Sequence, residues 1–337
     1  DLVKKYGYED IANWDDLISF YKACAQDGVY GNAVGAASLY WLWFAENGYE
    51  DLGGTPGSGQ IVLYNCQDPD DVSTQCILEW DKFAEYCHEV KELADLGCWP
   101  SDVLSSTQDR QDGLLSGRGA SMVWKPGSCA TYANQANAEH PDWECNVYNI
   151  MPEIKYGATP YINGGIGINV ASQHPERAIM VWNEFATNQE IQDLAQLGIE
   201  GVNWEAVGDK EYKKIEGAVY DGSNYWGWRN MDIMRTEYNE NPTAVDVKLK
   251  EMEEYIMSNA REDHILDGFS FNSEAVSTQY AAVDAAMGTY FNPLINGLVD
   301  DVDASLEQFR AAMDAAGMQD ILAEINKQIE EFVASKQ

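Results

Sequence analysis

Tyr161-Ile162-Asn163-Gly164-Gly165-Ile166-Gly167-Ile168-Asn169-Val170, followed by Pro175-Glu176-Arg177-Ala178-Ile179-Met180-Val181-Trp182 and on to Trp204, is the stretch that decides the fold. Over residues 164–170 apolar side chains alternate with glycine or polar ones at period two, the pattern of a short strand that another backbone approaches closely. Pro175 stands where the first residue of a helix belongs, and Glu176 complements the positive helix end. Ala178, Trp182 and Phe185, with Ile179 and Ala186, recur at three- and four-residue spacing and predict one buried stripe. Thr187 and Glu190 read as a capping box for a second helix, with Ile191, Leu194 and Ala195 facing inward and Gly198 as its stop.

The same signals recur on either side. Asn13 is a natural N-cap for a helix whose Trp14, Leu17, Ile18, Tyr21 and Ala25 share one face, and Gly28 closes it. Residues 114–127 read as a helix ending at a small residue, then a strand, then a Lys125-Pro126-Gly127-Ser128 turn in which Ser128 opens the next helix. Residues 53–59 (Gly-Gly-Thr-Pro-Gly-Ser-Gly) form the one flexible, solvent-facing loop, and a long amphipathic helix is expected from about Asp70 to Leu96, ended by Gly97. From Asn241 onward the chain reads as almost wholly helical, with Leu306, Phe309, Met313, Ile321, Leu322, Ile325, Ile329 and Phe332 on the inner face of its last stretch.

In this order the strand, the Pro175 helix, the capped helix and the Gly198-Ile199-Glu200-Gly201 turn resemble the extracellular solute-binding proteins of bacterial ABC importers. The likeness is to the carbohydrate-binding family. Trp14-Asp15-Asp16-Leu17 resembles that family's helix start, residues 114–127 its strand entering the cleft, and Gly268-Phe269-Ser270-Phe271 the C-terminal region of its LipO-like lipoproteins. The resemblance implies an α/β, helix-rich, two-lobed fold of the type II periplasmic-binding-protein kind with an incomplete first lobe. Residues 1–160 would form the first segment of the second lobe, 161–268 the hinge crossing and the remaining part of the first lobe, and 269–337 a helical return to the second lobe. Asp1-Leu2-Val3-Lys4 resembles the point just after the family's first crossing, so a segment of roughly 100 residues or more is expected to precede it. By the same resemblance the protein is extracellular and anchored to the cell membrane through an N-terminal lipid outside this sequence.

Composition narrows the function classes. At 337 residues and 45% hydrophobic content the chain can bury one large or two modest cores, and no apolar run approaches a membrane span. A formal charge of -35 excludes nucleic-acid binding through a basic surface and fits a solvated acidic exterior. Seven cysteines cannot pair completely, and none has zinc spacing. Cys76 and Cys87 read as buried thiols on the stripe of Trp80, Phe83 and Val90; Cys129 and Cys145 are the best pair for a bridge.

No catalytic constellation stands out. His88, His140, His174 and His264 are far apart, and there is no nucleophile elbow, phosphate loop, zinc motif or calcium loop. No metal and no cofactor is expected, and the protein is not read as an enzyme. Aromatic residues carry the remaining signal. Eleven tryptophans and nineteen tyrosines exceed what a core of this size needs. Sugars present flat C–H faces that aromatic platforms cover, with amides, carboxylates and arginine taking the hydroxyls.

Given the family, Tyr161, Asn163, Trp226, Trp228 and Asn230 are the candidate ligand residues of the first lobe and crossing. Tyr40, Trp41, Trp124 and Ser128 are those of the second lobe, with Phe271 at the later return. The implied partners are a carbohydrate and the permease subunits of an ABC importer, the protein itself being a monomer. A secreted glycan-active enzyme or its binding module, and a peptide-binding receptor, are the alternatives.

Overall fold

Asn13 opens the first long helix as its sequence predicts: its Oδ1 accepts the Asp16 N–H at 2.8 Å. The computed structural model describes residues 1–157, 166–220, 222 and 229–336. These residues fall into two compact units, Asp1–Ala158 with Thr243–Gln337, and Thr159–Pro242.

The larger unit begins with α1 (Leu2–Lys5) and α2 (Trp14–Gln26), whose Trp14, Leu17, Ile18, Phe20, Tyr21 and Cys24 are buried. After β1 (Tyr30–Asn32), α3 (Ala37–Glu46) leads into the antiparallel sheet of β2 (Tyr49–Asp51), β3 (Val62–Asn65) and β4 (Thr74–Cys76). Helix α4 (Asp81–Asp95) follows. The long helix expected from Asp70 therefore starts at Asp81, and Cys76 lies on a strand. Asp71 turns the chain by accepting the Ser73 N–H at 2.8 Å, and β3 then captures residues 74–76 by register pairs such as Val62 with Cys76. Phe83, Tyr86, Cys87, Val90 and Leu93 give α4 its buried face. Residues 53–59 are not a free loop. The Phe271 N–H donates to Gly53 O at 2.8 Å, and Thr55 and Gly59 are buried. A Cβ on Gly54 (φ +81°) would lie 2.6 Å from Phe271 O, so only glycine fits that approach. Next come α5 (Arg110–Leu115), β5 (Gly119–Ser121), which pairs in parallel with β1, and α6 (Pro126–Glu139).

The smaller unit carries α7 (Pro175–Thr187), α8 (Gln189–Leu197) and a sheet of β6 (Trp204–Val207), β7 (Glu211–Lys214) and β8 (Thr236–Glu237). Several expectations change here. Residues 166–170 belong to no strand: the period-two pattern finds no pairing partner among the described residues, and Val170 is fully exposed. Helix α7 has no fully buried residue. Ala178, Trp182, Phe185 and Ala186 are half-buried and Ile179 is exposed, because the described residues of this unit offer them no apolar layer. The cap of α8 is Asn188, whose Oδ1 accepts from Glu190 and Ile191, while Thr187 Oγ1 donates back to Asn183 O at 2.7 Å. On α8 the buried side chains are Gln192, Asp193 and Leu197, and Leu194 faces solvent. The unit's apolar cluster is Leu197, Trp204 and Tyr212. Arg235 organises it: its Nε donates to Asp193 Oδ2 at 3.0 Å and its guanidinium sits 5.2 Å from the Trp204 ring.

The chain returns to the larger unit at α9 (Ala244–Ser258), opened by a reciprocal Thr243/Asp246 capping box and packed on α6. Residues 243–268, expected with the middle segment, thus pack in the larger unit. Helix α10 (Ser277–Ala286) runs through a π turn at Met287–Phe291 into α11 (Asn292–Ile295), followed by α12 (Val302–Ala316) and α13 (Met318–Ser335). The predicted inner face holds, with Leu306, Phe309, Met313, Ile321, Ile325 and Ile329 buried and Leu322 and Phe332 half-buried. Between α9 and α10, Arg261 is clamped into the β2–β3 hairpin, its side chain only 6% exposed. Its Nε and Nη2 donate to Glu50 at 2.9 and 3.0 Å, and Nη2 and Nη1 to Asp267 at 2.7 and 3.0 Å. Tyr64 OH completes the cluster by donating to Glu50 Oε2 at 2.7 Å.

Candidate functional site

The passage from α5 to α6 is built to present Trp124. Gly117 (φ +69°) turns the chain after α5, and β5 is then fixed against β1. The hydroxyls of Tyr21 and Ser121 lie 2.7 Å apart, and Ser121 Oγ donates to Gly31 O at 2.9 Å. Trp124 follows at the strand's exit, 49% exposed, and Pro126 takes the first position of α6. Lys125 is the N-cap and gives no side-chain cap, so α6 opens two residues before Ser128, which lies half-buried in its first turn. The Arg110 guanidinium stacks on the Trp124 ring at 3.5 Å from its centroid, and Lys125 Nζ is 5.9 Å away. Burial pulls the Arg110 pKa below its ordinary value.

Trp124 also lines a cavity of about 700 Å³ within the larger unit, walled by Leu114, Met122, Cys129, Tyr148 and Met252 among others. That volume falls in the range of small-molecule sites. Its walls are mainly apolar, with Asn146 and Asn149 supplying amides. Cys129 and Cys145 both line it as free, half-buried thiols whose pKa burial raises, so the expected bridge is absent. Cys129 Sγ instead donates to Trp124 O at 3.5 Å.

The other sequence candidates scatter. Tyr40 is fully buried, its ring against Phe44, Phe83, Tyr86 and Phe291, and cannot meet a ligand. Phe271 is likewise a core residue at 6% exposure. Both were candidates by their place in the chain, and both are claimed by packing. Trp41 is 37% exposed on α3 and tilts against Phe44, away from the cavity lining. Asn230 works within the smaller unit, where its Nδ2 donates to Ala186 O at 2.8 Å and its Oδ1 accepts from Asp232. Tyr161, Asn163, Trp226 and Trp228 lie outside the described residues. Arg110 was not among the candidates. Its signal was available: residues 113–138 contain no carboxylate, in a chain where 56 of 337 residues are acidic.

In fold, the chain is similar to proteins of known structure. The crystal structure of the N-glycan transport solute binding protein NgtS from Streptococcus pneumoniae, in complex with Man5GlcNAc, superposes over 100% of this chain and 71% of its own, with a TM-score of 0.63 at 19% identity. The fold is that of a solute-binding protein. An extracellular solute-binding protein from Bifidobacterium longum subsp. infantis matches 98% of this chain and 72% of its own at a TM-score of 0.57 and 12% identity. In sequence, the chain is 24% identical over 261 residues to a carbohydrate ABC transporter substrate-binding protein of Streptococcus pneumoniae serotype 4, which covers 77% of this chain and 51% of that protein. The chain therefore spans about half the length of the curated relative it matches. A domain of unknown function, DUF3502, matches residues 265–334, the run from just after Arg261 to the last turn of α13. The solute-binding fold thus extends over the whole chain, helix-rich and α/β as the sequence implied.

Proposed function

We propose that this chain belongs to the extracellular substrate-binding component of an ABC importer, which binds a sugar or oligosaccharide and delivers it to a membrane permease. The observation that carries the proposal is the match over 77% of the chain to a protein named as a carbohydrate ABC transporter substrate-binding protein. The half-exposed Trp124 beside a cavity of about 700 Å³ supports it, since an indole face is what a sugar's C–H face packs on. In this reading the protein holds its ligand without altering it and acts as a monomer anchored at the cell surface. Trp124 and Ser128 form one part of the site, and Trp41 another. Tyr161, Asn163, Trp226, Trp228 and Asn230 remain candidates from sequence.

Incubation with a mixed oligosaccharide panel, followed by intrinsic fluorescence and chromatography of the sugars, tests the proposal. The expected result is a saturable tryptophan response, weakened about ten-fold or more by Trp124→Ala, with every sugar recovered intact. Shortened products would mean an enzyme, and a panel without any response would remove the sugar reading.

A further inference from the structure

Arg110 is held in an unusual way for so acidic a chain. Its guanidinium lies flat on Trp124 at 3.5 Å, and its Nη1 is buried without a hydrogen-bond partner among the described residues. Among the described residues Arg110 makes no ion pair, although 56 acidic residues face 21 basic ones across the sequence. Residues 113–138 carry Arg118 and Lys125 and not one carboxylate, so Asp109, whose charge acts on Arg110, and Asp112 are the acidic residues next to it in the chain. Stacking occupies the flat face of a guanidinium and leaves its N–H donors in the plane, in the fork that matches a carboxylate. Trp124 stays 49% exposed with one face so covered, which leaves the rest of the indole open to a sugar ring.

We propose that Arg110 and Trp124 form a subsite for a carboxylated sugar, a residue of the uronic- or sialic-acid kind, with the indole against its C–H face and the guanidinium on its carboxylate. This rests on the sugar-binding reading and narrows its substrate class. The net charge of -35 opposes an anionic ligand at long range, but ionic strength near 0.15 M screens that repulsion beyond about 8 Å and leaves the direct contact.

Calorimetric titration at about 0.15 M salt with trigalacturonate and its fully methyl-esterified form tests the assignment, because esterification removes the charge and keeps the sugar backbone. The acid should bind about ten-fold or more tightly than the ester, and Arg110→Gln should bring the ratio close to one. A ratio of two affinities on one protein sample is unaffected by partial unfolding of the variant. Equal affinity of acid and ester, or a ratio that survives Arg110→Gln, overturns the subsite and leaves the sugar reading standing. Displacement of trigalacturonate by equimolar acetate or phosphate also overturns it, by showing a general anion site. Silence from both sugars and from the neutral panel removes the sugar reading, and the subsite with it.

Discussion

Replacing Arg261 by methionine probes the ion cluster that ties the loop before α10 to the β2–β3 hairpin. The guanidinium side chain is 6% exposed and makes four donor contacts of 2.7 to 3.0 Å to Glu50 and Asp267. Removing one partner of a buried ion pair costs about 3–5 kcal/mol, because the remaining charge is left uncompensated. Here the two carboxylate side chains are 29% and 25% exposed, so water recovers part of that, and the lower end of the range, about 3 kcal/mol, is expected. At about 2–4 °C per kcal/mol for a domain of this size, the melting midpoint should fall by about 6–12 °C.

The pH dependence fixes the mechanism. Opposing the desolvation that burial imposes, contacts to Arg261 hold the Glu50 and Asp267 carboxyls below their ordinary pKa values. Their contribution is therefore full above the unfolded carboxylate range, about pH 4, and is lost as pH falls through the depressed folded values. In Arg261→Met the guanidinium is gone, and burial pushes both carboxyls up against only the Tyr64 hydroxyl on Glu50 and the His264 N–H on Asp267, so protonation relieves the variant. The stability gap between the two proteins should shrink from pH 7 toward pH 4. Urea unfolding at both pH values measures it. A loss under about 1 kcal/mol at pH 7, or a gap that holds constant or widens on acidification, would refute this account.

Tyr40→Ala should cost about 3–5 kcal/mol in urea unfolding, whereas Tyr40→Phe should cost under about 1 kcal/mol because the hydroxyl reaches Gln60 O only at 3.4 Å. A loss of sugar response in Tyr40→Phe at unchanged stability would return Tyr40 to the ligand site. Burial pushes the thiols of Cys66, Cys76 and Cys98 up to about 11 and that of Cys24 to about 12, and it raises Cys87 as well. Thiolate is the reacting form, so alkylation of the native protein near pH 8, mapped by mass spectrometry, should mark Cys129 and Cys145 first. Rapid modification of any of the other five would contradict that packing.

Caps and stripes in the larger unit were legible because local chemistry and tertiary packing agree there. Asn13 caps α2, and residues 306–332 bury the face their spacing marks out. Legibility failed where a distant partner decides the outcome. Cys76 shares the spacing of the α4 stripe, yet β3 claims residues 74–76 for a sheet. Residues 166–170 have the alternation of a strand but no described neighbour to pair with. Thr187 and Asn188 both suit a helix start, and only the backbone path shows that Thr187 still belongs to α7. Among the ligand candidates, the exposure of Trp124 was legible from its position at a strand exit. Sequence overvalued Tyr40 and Phe271, since an aromatic ring near a turn looks the same whether it faces solvent or a core. The stacking of Arg110 on Trp124 left only an indirect trace in the sequence, the carboxylate-free run 113–138, because a cation's partner is a property of three-dimensional neighbours.

The contrast between the apolar packing of the two units has a thermodynamic consequence. In the larger unit one continuous core runs from Ile11 to Ile329, while the described cluster of the smaller unit is Leu197, Trp204 and Tyr212. Burial sets the free energy of local opening, so the described residues of the smaller unit should exchange amide hydrogens and admit proteases well before those of the larger one. The molecule is then not a single cooperative system: heating should give two transitions, the lower and smaller one belonging to the 159–242 segment. Tryptophans lie in both units, seven in the larger and four in the smaller by sequence, so a fluorescence melt blends the two events. A ligand gripping the smaller unit would raise the first midpoint and leave the second in place, which makes that lower transition the sensitive gauge of what this protein binds.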